Sequence, residues 1–225
     1  MTTIGFIGSG RIGGALAQLA VAAGYDIVLS NSRGPQSLQE AATRLGSRAR
    51  AATTTEAAAA GDLVVVSVPV RAYRQVPVEA LHGRVVIDTV NYDPARQGAV
   101  PEIEAGDIPP HLLLQAHLQD AYVVKAFSTV FFRHLPQLAR PTGAPDRSAV
   151  PIAGDSAPAK AEVTNLIDSL GFDAYDVGPL AESRRFAPGT PAQLAYLDPD
   201  GMFAAPGRPA SAADLAALLE KADRS

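Results

Sequence analysis

Short apolar runs rich in β-branched residues alternate along this chain with Ala-rich stretches in which apolar residues recur every three or four positions. That alternation predicts strands joined by crossover helices, the pattern of a parallel α/β sheet. Ile4–Ile7 reads as the first strand, followed by a helix with Ile12, Leu16 and Leu19 on one face and Gly24 as its stop. Asp26–Ser30 reads as the second strand, and Pro35 suits the first turn of a helix that runs to Leu45 before Gly46. Arg48–Ala52 is a weak third strand and Thr55–Ala60 a short helix behind it. Leu63–Val68 is nearly all apolar, as a central strand covered on both faces must be, and Pro69 ends it. Val85–Val90 and Tyr122–Phe127 read as a fifth and a sixth strand, with a helix ending near Leu118 between them.

Beyond residue 127 the pattern is less regular. Val150–Ala153 and Ala174–Val177 read as strands flanking a helix over Ala159–Leu170. From Arg185 to Pro209 the chain is rich in Pro and Gly and reads as a long ordered loop. Ser211 then starts a last helix, with Asp214 three residues on as an approximate capping box. The expected division is a larger domain over residues 1–127 and a smaller region over 128–225.

Composition narrows the function classes. In 225 residues, 47% are hydrophobic and 19% charged, with a net charge of −4 and no basic block, which argues against nucleic acid as a partner. The chain has no cysteine, so disulfides, thiolate metal sites and cysteine nucleophiles are excluded. It opens on the strand-like run Thr3–Gly8 without a basic, then apolar, leader, and no apolar stretch is long enough for a membrane span. A cytoplasmic protein without a membrane partner is the expectation.

The sharpest chemical signal is Gly8-x-Gly10-x-x-Gly13, placed between the first strand and the first helix. The first glycine permits the tight turn, the second lets backbone approach a pyrophosphate, and the third lets helix pack closely on strand. Backbone N–H groups from Ser9 through Arg11 to Ile12 would then meet a dinucleotide at the positive end of the helix dipole. This predicts a Rossmann-type, doubly wound, mostly parallel sheet. The end of the second strand selects the cofactor. A site for NAD carries Asp or Glu there, for the ribose 2′-hydroxyl. This chain has Ser30-Asn31-Ser32-Arg33-Gly34, and Asp26 stands at the strand's other end. Hydroxyls, an amide and a guanidinium suit a 2′-phosphate, so Asn31, Ser32 and Arg33 point to NADP(H).

The segments GFIGSGRIGGALA, SNSRGP, LVVVSVP, AYVVKAFSTV and LGFDAYDVGPL together resemble the deazaflavin (coenzyme F420)-dependent NADP oxidoreductases, over residues 4 to about 180. The resemblance implies an N-terminal domain holding NADP(H), a C-terminal region over the nicotinamide, and direct hydride transfer to a deazaflavin or flavin-like acceptor. It also implies that Val68 and Pro69 border the adenosine half, that Thr89 to Asn91 lie near the nicotinamide ribose, that Ala126 belongs to the site, and that the protein is a homodimer. Two departures fall on the acceptor side. Ser128 follows Lys-Ala-Phe where the family has Asn, and the closing segment is Arg185–Pro191 followed by the Pro/Gly-rich arm.

Hydride transfer between stacked rings depends on proximity and orientation more than on acid–base groups. An imine or carbonyl acceptor, the alternative enzyme reading, would need a proton donor, for which Lys125, His134 and Tyr196 are the candidates. Each has a structural reading too. Lys125 ends a buried strand, His134 reads as a surface helix residue, and Phe127, Phe131 and Phe132 read as core of the smaller region more readily than as a stacking platform. His82, His111 and His117 share no metal-ligand spacing, so no metal is expected. A non-catalytic NADP(H) sensor, with the Pro/Gly-rich arm as its docking segment, is the remaining reading.

Overall fold

The computed structural model describes residues 2–222. These divide into two compact units, one ending at Val123 and one beginning at Val124. In the first unit β1 (Thr3–Ile7), β2 (Asp26–Ser30), β3 (Ala49–Ala51), β4 (Leu63–Val66) and β5 (Val85–Asp88) lie in the order β3-β2-β1-β4-β5. Every pair in that order is parallel. The chain leaves β1 through α1 (Arg11–Ala22), builds outward to β3 by way of α2 (Gln39–Leu45), and returns through α3 (Thr54–Ala60) to place β4 on the other side of β1. The winding direction therefore reverses between β1 and β4. In open α/β sheets such a reversal leaves a crevice at the carboxyl ends of the strands, where ligands bind.

The core explains the apolar runs. Ile4, Phe6 and Ile7 of β1 and all four residues of β4 are buried, as strands covered on both faces require. The buried stripe of α1 is Gly13, Leu16, Ala17 and Ala20, with Ile12 and Leu19 only half-buried at its margin. The expected Ile12–Leu16–Leu19 face is thus rotated. Gly13, Ala17 and Ala20 let the helix approach the sheet closely beside the buried Leu16, and Ile12 and Leu19 flank the seam. The amino end of α3 carries a capping box, in which Thr53 N–H donates to Glu56 and Glu56 N–H donates back to the Thr53 hydroxyl. It starts this helix one residue earlier than the apolar pattern indicates.

Three strands are shorter than their apolar runs. β4 stops at Val66 and not at Val68, β5 at Asp88 and not at Val90, and β6 (Tyr122–Lys125) at Lys125 and not at Phe127. In each case the residues beyond the strand leave the ladder and form the loop at its carboxyl end. The helix expected before Leu118 is α6 (Leu113–His117), preceded by the single turns α4 (Pro94–Gln97) and α5 (Pro101–Glu104).

In the second unit β7 (Ala149–Gly154) runs antiparallel to β6 and parallel to β8 (Asp173–Gly178), to which α8 (Ala157–Ser169) connects it. A single turn, α7 (Leu135–Leu138), precedes β7. The long Pro/Gly-rich segment is ordered around buried anchors: Phe186, Ala192 and Tyr196 are fully enclosed, and Ala149 N–H donates to Ala210 O at 2.8 Å. α9 (Ala212–Ala222) starts as expected, with Ser211 and Asp214 exchanging hydrogen bonds. The result is the α/β, Rossmann-type, mostly parallel architecture read from the sequence. No helix among the described residues is long and apolar enough to cross a membrane.

Candidate functional site

The carboxyl ends of β1, β2, β4 and β5 bring the Gly-rich loop, the Asn31–Gly34 turn, Ser67–Pro69 and Thr89–Asn91 to one edge of the first unit. Within the loop the three glycines do different work. Gly8 has φ +96°, and a Cβ there would stand 2.2 Å from Ser67 O. A Cβ on Gly13 would stand 2.2 Å from Gly8 O, so α1 packs on the loop only without a side chain. Around Gly10, in contrast, a Cβ would meet nothing within 4 Å. Two glycines are thus explained by the chain's own packing, and the third borders open space where the fingerprint requires a pyrophosphate. Gly10 is the N-cap of α1 and no side chain caps that helix. The arrangement fits a dinucleotide.

The loop is pinned from β2. Gly8 N–H donates to Ser30 O at 3.1 Å, the Ser9 hydroxyl donates to the same oxygen at 2.9 Å, and the buried Ser30 hydroxyl donates to Phe6 O at 2.8 Å. The Ser9 hydroxyl is therefore engaged with backbone, which leaves its N–H as the group to offer a ligand. Arg11 is exposed at the first helical position and Ile12 follows it half-buried.

Past β2, Asn31 builds a turn. Its Oδ1 accepts from Arg33 N–H at 2.9 Å, and its Nδ2 donates to the Ser37 hydroxyl at 3.0 Å. Ser32 and Arg33 are exposed on the turn, and the Arg33 side chain makes no ion pair among the described residues. No carboxylate occupies this end of the strand. Asp26 sits four residues back, about 13 Å away at strand rise, and is paired with Arg48 at 3.1 Å. Asn31, one of the expected ligands, thus has both ends of its amide used in the turn.

Val68 is half-buried and Pro69 exposed after β4. The Thr89 hydroxyl turns inward to Val66 O at 3.1 Å, and Asp88 accepts from Val90 N–H at 2.8 Å. One residue that sequence reasoning missed joins these two loops. Gln97 of α4 accepts from Val70 N–H at 2.8 Å through Oε1 and donates to Asn91 O at 3.4 Å through Nε2. No motif marks Gln97 or Ser37, because each acts on backbone or on a turn whose geometry exists only in the folded chain.

The remaining candidates lie in the second unit. Ala126 is buried just after β6, and Phe127 follows it with φ +56°, a left-handed conformation that bulky residues adopt only where surrounding structure enforces it. Phe127 is core, edge-on to Phe172 at 6.0 Å. Phe131 and Phe132 are half-buried and join Phe203 and His134 in an aromatic cluster. Lys125 is buried at the end of β6 and Ser128 is buried beyond it. Two expectations are corrected. His134 is not a surface residue: it is 1% exposed, with Nε2 3.0 Å from Ala205 O. Tyr196 is fully buried and donates to Ala149 O at 2.5 Å, and burial pushes its hydroxyl well above the ordinary tyrosine range. It is an anchor of the arm on β7, not a proton donor.

Residues 3–92 match the family model described as NADP oxidoreductase, coenzyme F420-dependent. Among solved structures, a hypothetical protein of Sinorhizobium meliloti is 30% identical, with a TM-score of 0.69 over 81% of this chain and 88% of that one. A protein from Arthrobacter assigned as an F420-dependent NADP-reductase is 23% identical, with a TM-score of 0.67 over 82% of this chain and 87% of that one. An imine reductase from Myxococcus stipitatus, solved with NADP+, is 20% identical, with a TM-score of 0.54 over 80% of this chain and 56% of that one. No curated protein sequence matches the chain.

Proposed function

We propose, on the match of residues 3–92 to the coenzyme F420-dependent NADP oxidoreductase family, that this chain carries a hydride between NADP(H) and a deazaflavin (coenzyme F420) or flavin-like acceptor. It is an NADP-dependent oxidoreductase; the acceptor is the part that is proposed. The observation that carries the cofactor side is the contrast between Gly10, open where a pyrophosphate would lie, and an exposed Arg33 on a turn without a carboxylate.

NADP(H), when bound, supplies the hydride at C4 of its nicotinamide. This chain's residues bind and orient. The backbone N–H groups of Ser9, Arg11 and Ile12 hold the pyrophosphate at the amino end of α1. The Arg33 guanidinium pairs with the 2′-phosphate, with the Ser32 hydroxyl beside it. Val68 and Pro69 flank the adenosine half, and Asn91 lies toward the nicotinamide. The acceptor side rests on the family and on a second observation. Of the three groups that could protonate an imine or carbonyl, Tyr196 and His134 are buried against backbone carbonyls and Lys125 is buried at the end of β6. That favours ring-to-ring hydride transfer, which needs alignment and little side-chain acid–base chemistry.

Mixing the purified protein with NADPH and the deazaflavin, and following the deazaflavin's visible absorbance, tests the proposal. Bleaching dependent on both supports it. NADPH oxidation by an imine or carbonyl substrate, with none by deazaflavin or flavin, would contradict it.

A further inference from the structure

We propose that Ser37 is a positioning residue for cofactor selection, which through Asn31 fixes the turn that presents Arg33 to the 2′-phosphate. This rests on the NADP(H) reading of the site and deepens it.

Ser32 and Arg33 are exposed, so no burial holds their conformation. What orders it is a set of hydrogen bonds through Asn31 and Ser37. Arg33 N–H needs an acceptor and finds Asn31 Oδ1 at 2.9 Å, which orients the amide and leaves Nδ2 facing Ser37. The Ser37 hydroxyl has one proton and gives it to Gly34 O at 2.7 Å, so its lone pair accepts from Asn31 Nδ2 at 3.0 Å. Ser37 N–H also donates to Gly34 O, at 3.2 Å, and Gly34 turns the chain with φ +88°. Ser37 therefore ties the far side of the turn to the residue that orders Arg33. Without its hydroxyl, Asn31 Nδ2 loses this partner and the turn samples other conformers. Reordering it then opposes binding of the phosphorylated cofactor alone, because only that cofactor uses Arg33.

The test is titration calorimetry on the full chain as wild type, Ser37→Ala, Arg33→Ala and the double variant, each with NADPH and with NADH. Ser37→Ala is expected to weaken NADPH about three- to tenfold and NADH by less than about twofold. Ser37→Thr, which keeps the hydroxyl, is expected to restore most of the loss. The double variant is expected to bind NADPH no more weakly than Arg33→Ala, since Ser37 acts through Arg33. Equal weakening of both cofactors by Ser37→Ala, or full additivity with Arg33→Ala, overturns the proposal and assigns Ser37 a general structural role. A selective loss in Arg33→Ala with none in Ser37→Ala overturns the role of Ser37 and leaves the NADP(H) reading standing. An unchanged NADPH/NADH ratio in Arg33→Ala overturns both.

Discussion

In the unit ending at Val123, the groups gathered at the carboxyl ends of the strands are glycine backbone, turn amides and an exposed arginine. In the unit beginning at Val124, the side chains that look most reactive in a sequence are enclosed and already bonded. Arg147 shows the contrast with Arg33. It is 4% exposed and donates to the carbonyls of Arg140, Asp168 and Phe172 while pairing with Asp168 and Asp173. Arg33 is exposed on its turn. The same residue type thus serves as a core fastener in one unit and, in the function proposed, as a recognition group in the other. What separates them is how many of the guanidinium's donors the chain itself consumes.

That difference is sharpest where it is broken. The largest expected effect is from Arg147→Ala, which strands three backbone acceptors and leaves a void. Stability falls by about 3 kcal/mol, read by urea denaturation, with the NADPH/NADH affinity ratio unchanged. Gly13 and Gly10 come next and separate packing from binding. Gly13→Ala drives a methyl against Gly8 O and costs about 1–3 kcal/mol of stability. Gly10 has φ −76° and open surroundings, so Gly10→Ala folds as the parent does while NADPH affinity falls about tenfold or more. Equal melting temperatures for the two variants would contradict this division of labour.

Tyr196→Phe removes one buried hydrogen bond and costs about 1 kcal/mol. Because the hydroxyl is an anchor and not an acid, the pH profile of turnover in this variant stays that of the parent. The smallest effect is common to both units. Backbone and hydroxyl bonds from Thr53 hold the Glu56 carboxyl below its ordinary range, and the hydroxyl and backbone of Ser211 do the same for Asp214. A folded value below the unfolded one contributes stability that is complete above the ordinary carboxylate range and disappears as pH falls through the lowered values. Melting temperature is therefore expected to drop slightly on acidification in that window, and less in a Glu56→Gln, Asp214→Asn double variant.

The apolar pattern made most of the fold legible. β2 runs over Asp26–Ser30 as read, and the last helix begins after Ser211 as its capping pair indicates. The strand ends were overextended because apolar residues continue past the ladder into loops, as at Val68 and Val90. The glycine fingerprint and the missing acidic residue at the end of β2 were legible because both are local in sequence. Ser37 and Gln97 were not, since Asn31, the partner through which Ser37 acts, and both backbone partners of Gln97 lie six or more residues away. Tyr196 and His134 were misread because residue type reports chemistry and is silent on enclosure. Tyr196 in particular sits in a Pro/Gly-rich segment whose composition conceals a buried anchor.

The central claim is that the turn after β2 selects the phosphorylated dinucleotide. Titration calorimetry of the unmodified protein with NADP+ and NAD+, under one buffer and one ionic strength, tests it most directly. The account predicts that NADP+ binds about tenfold or more tightly, through charge-assisted hydrogen bonds from Arg33. Equal affinity for the two would contradict it.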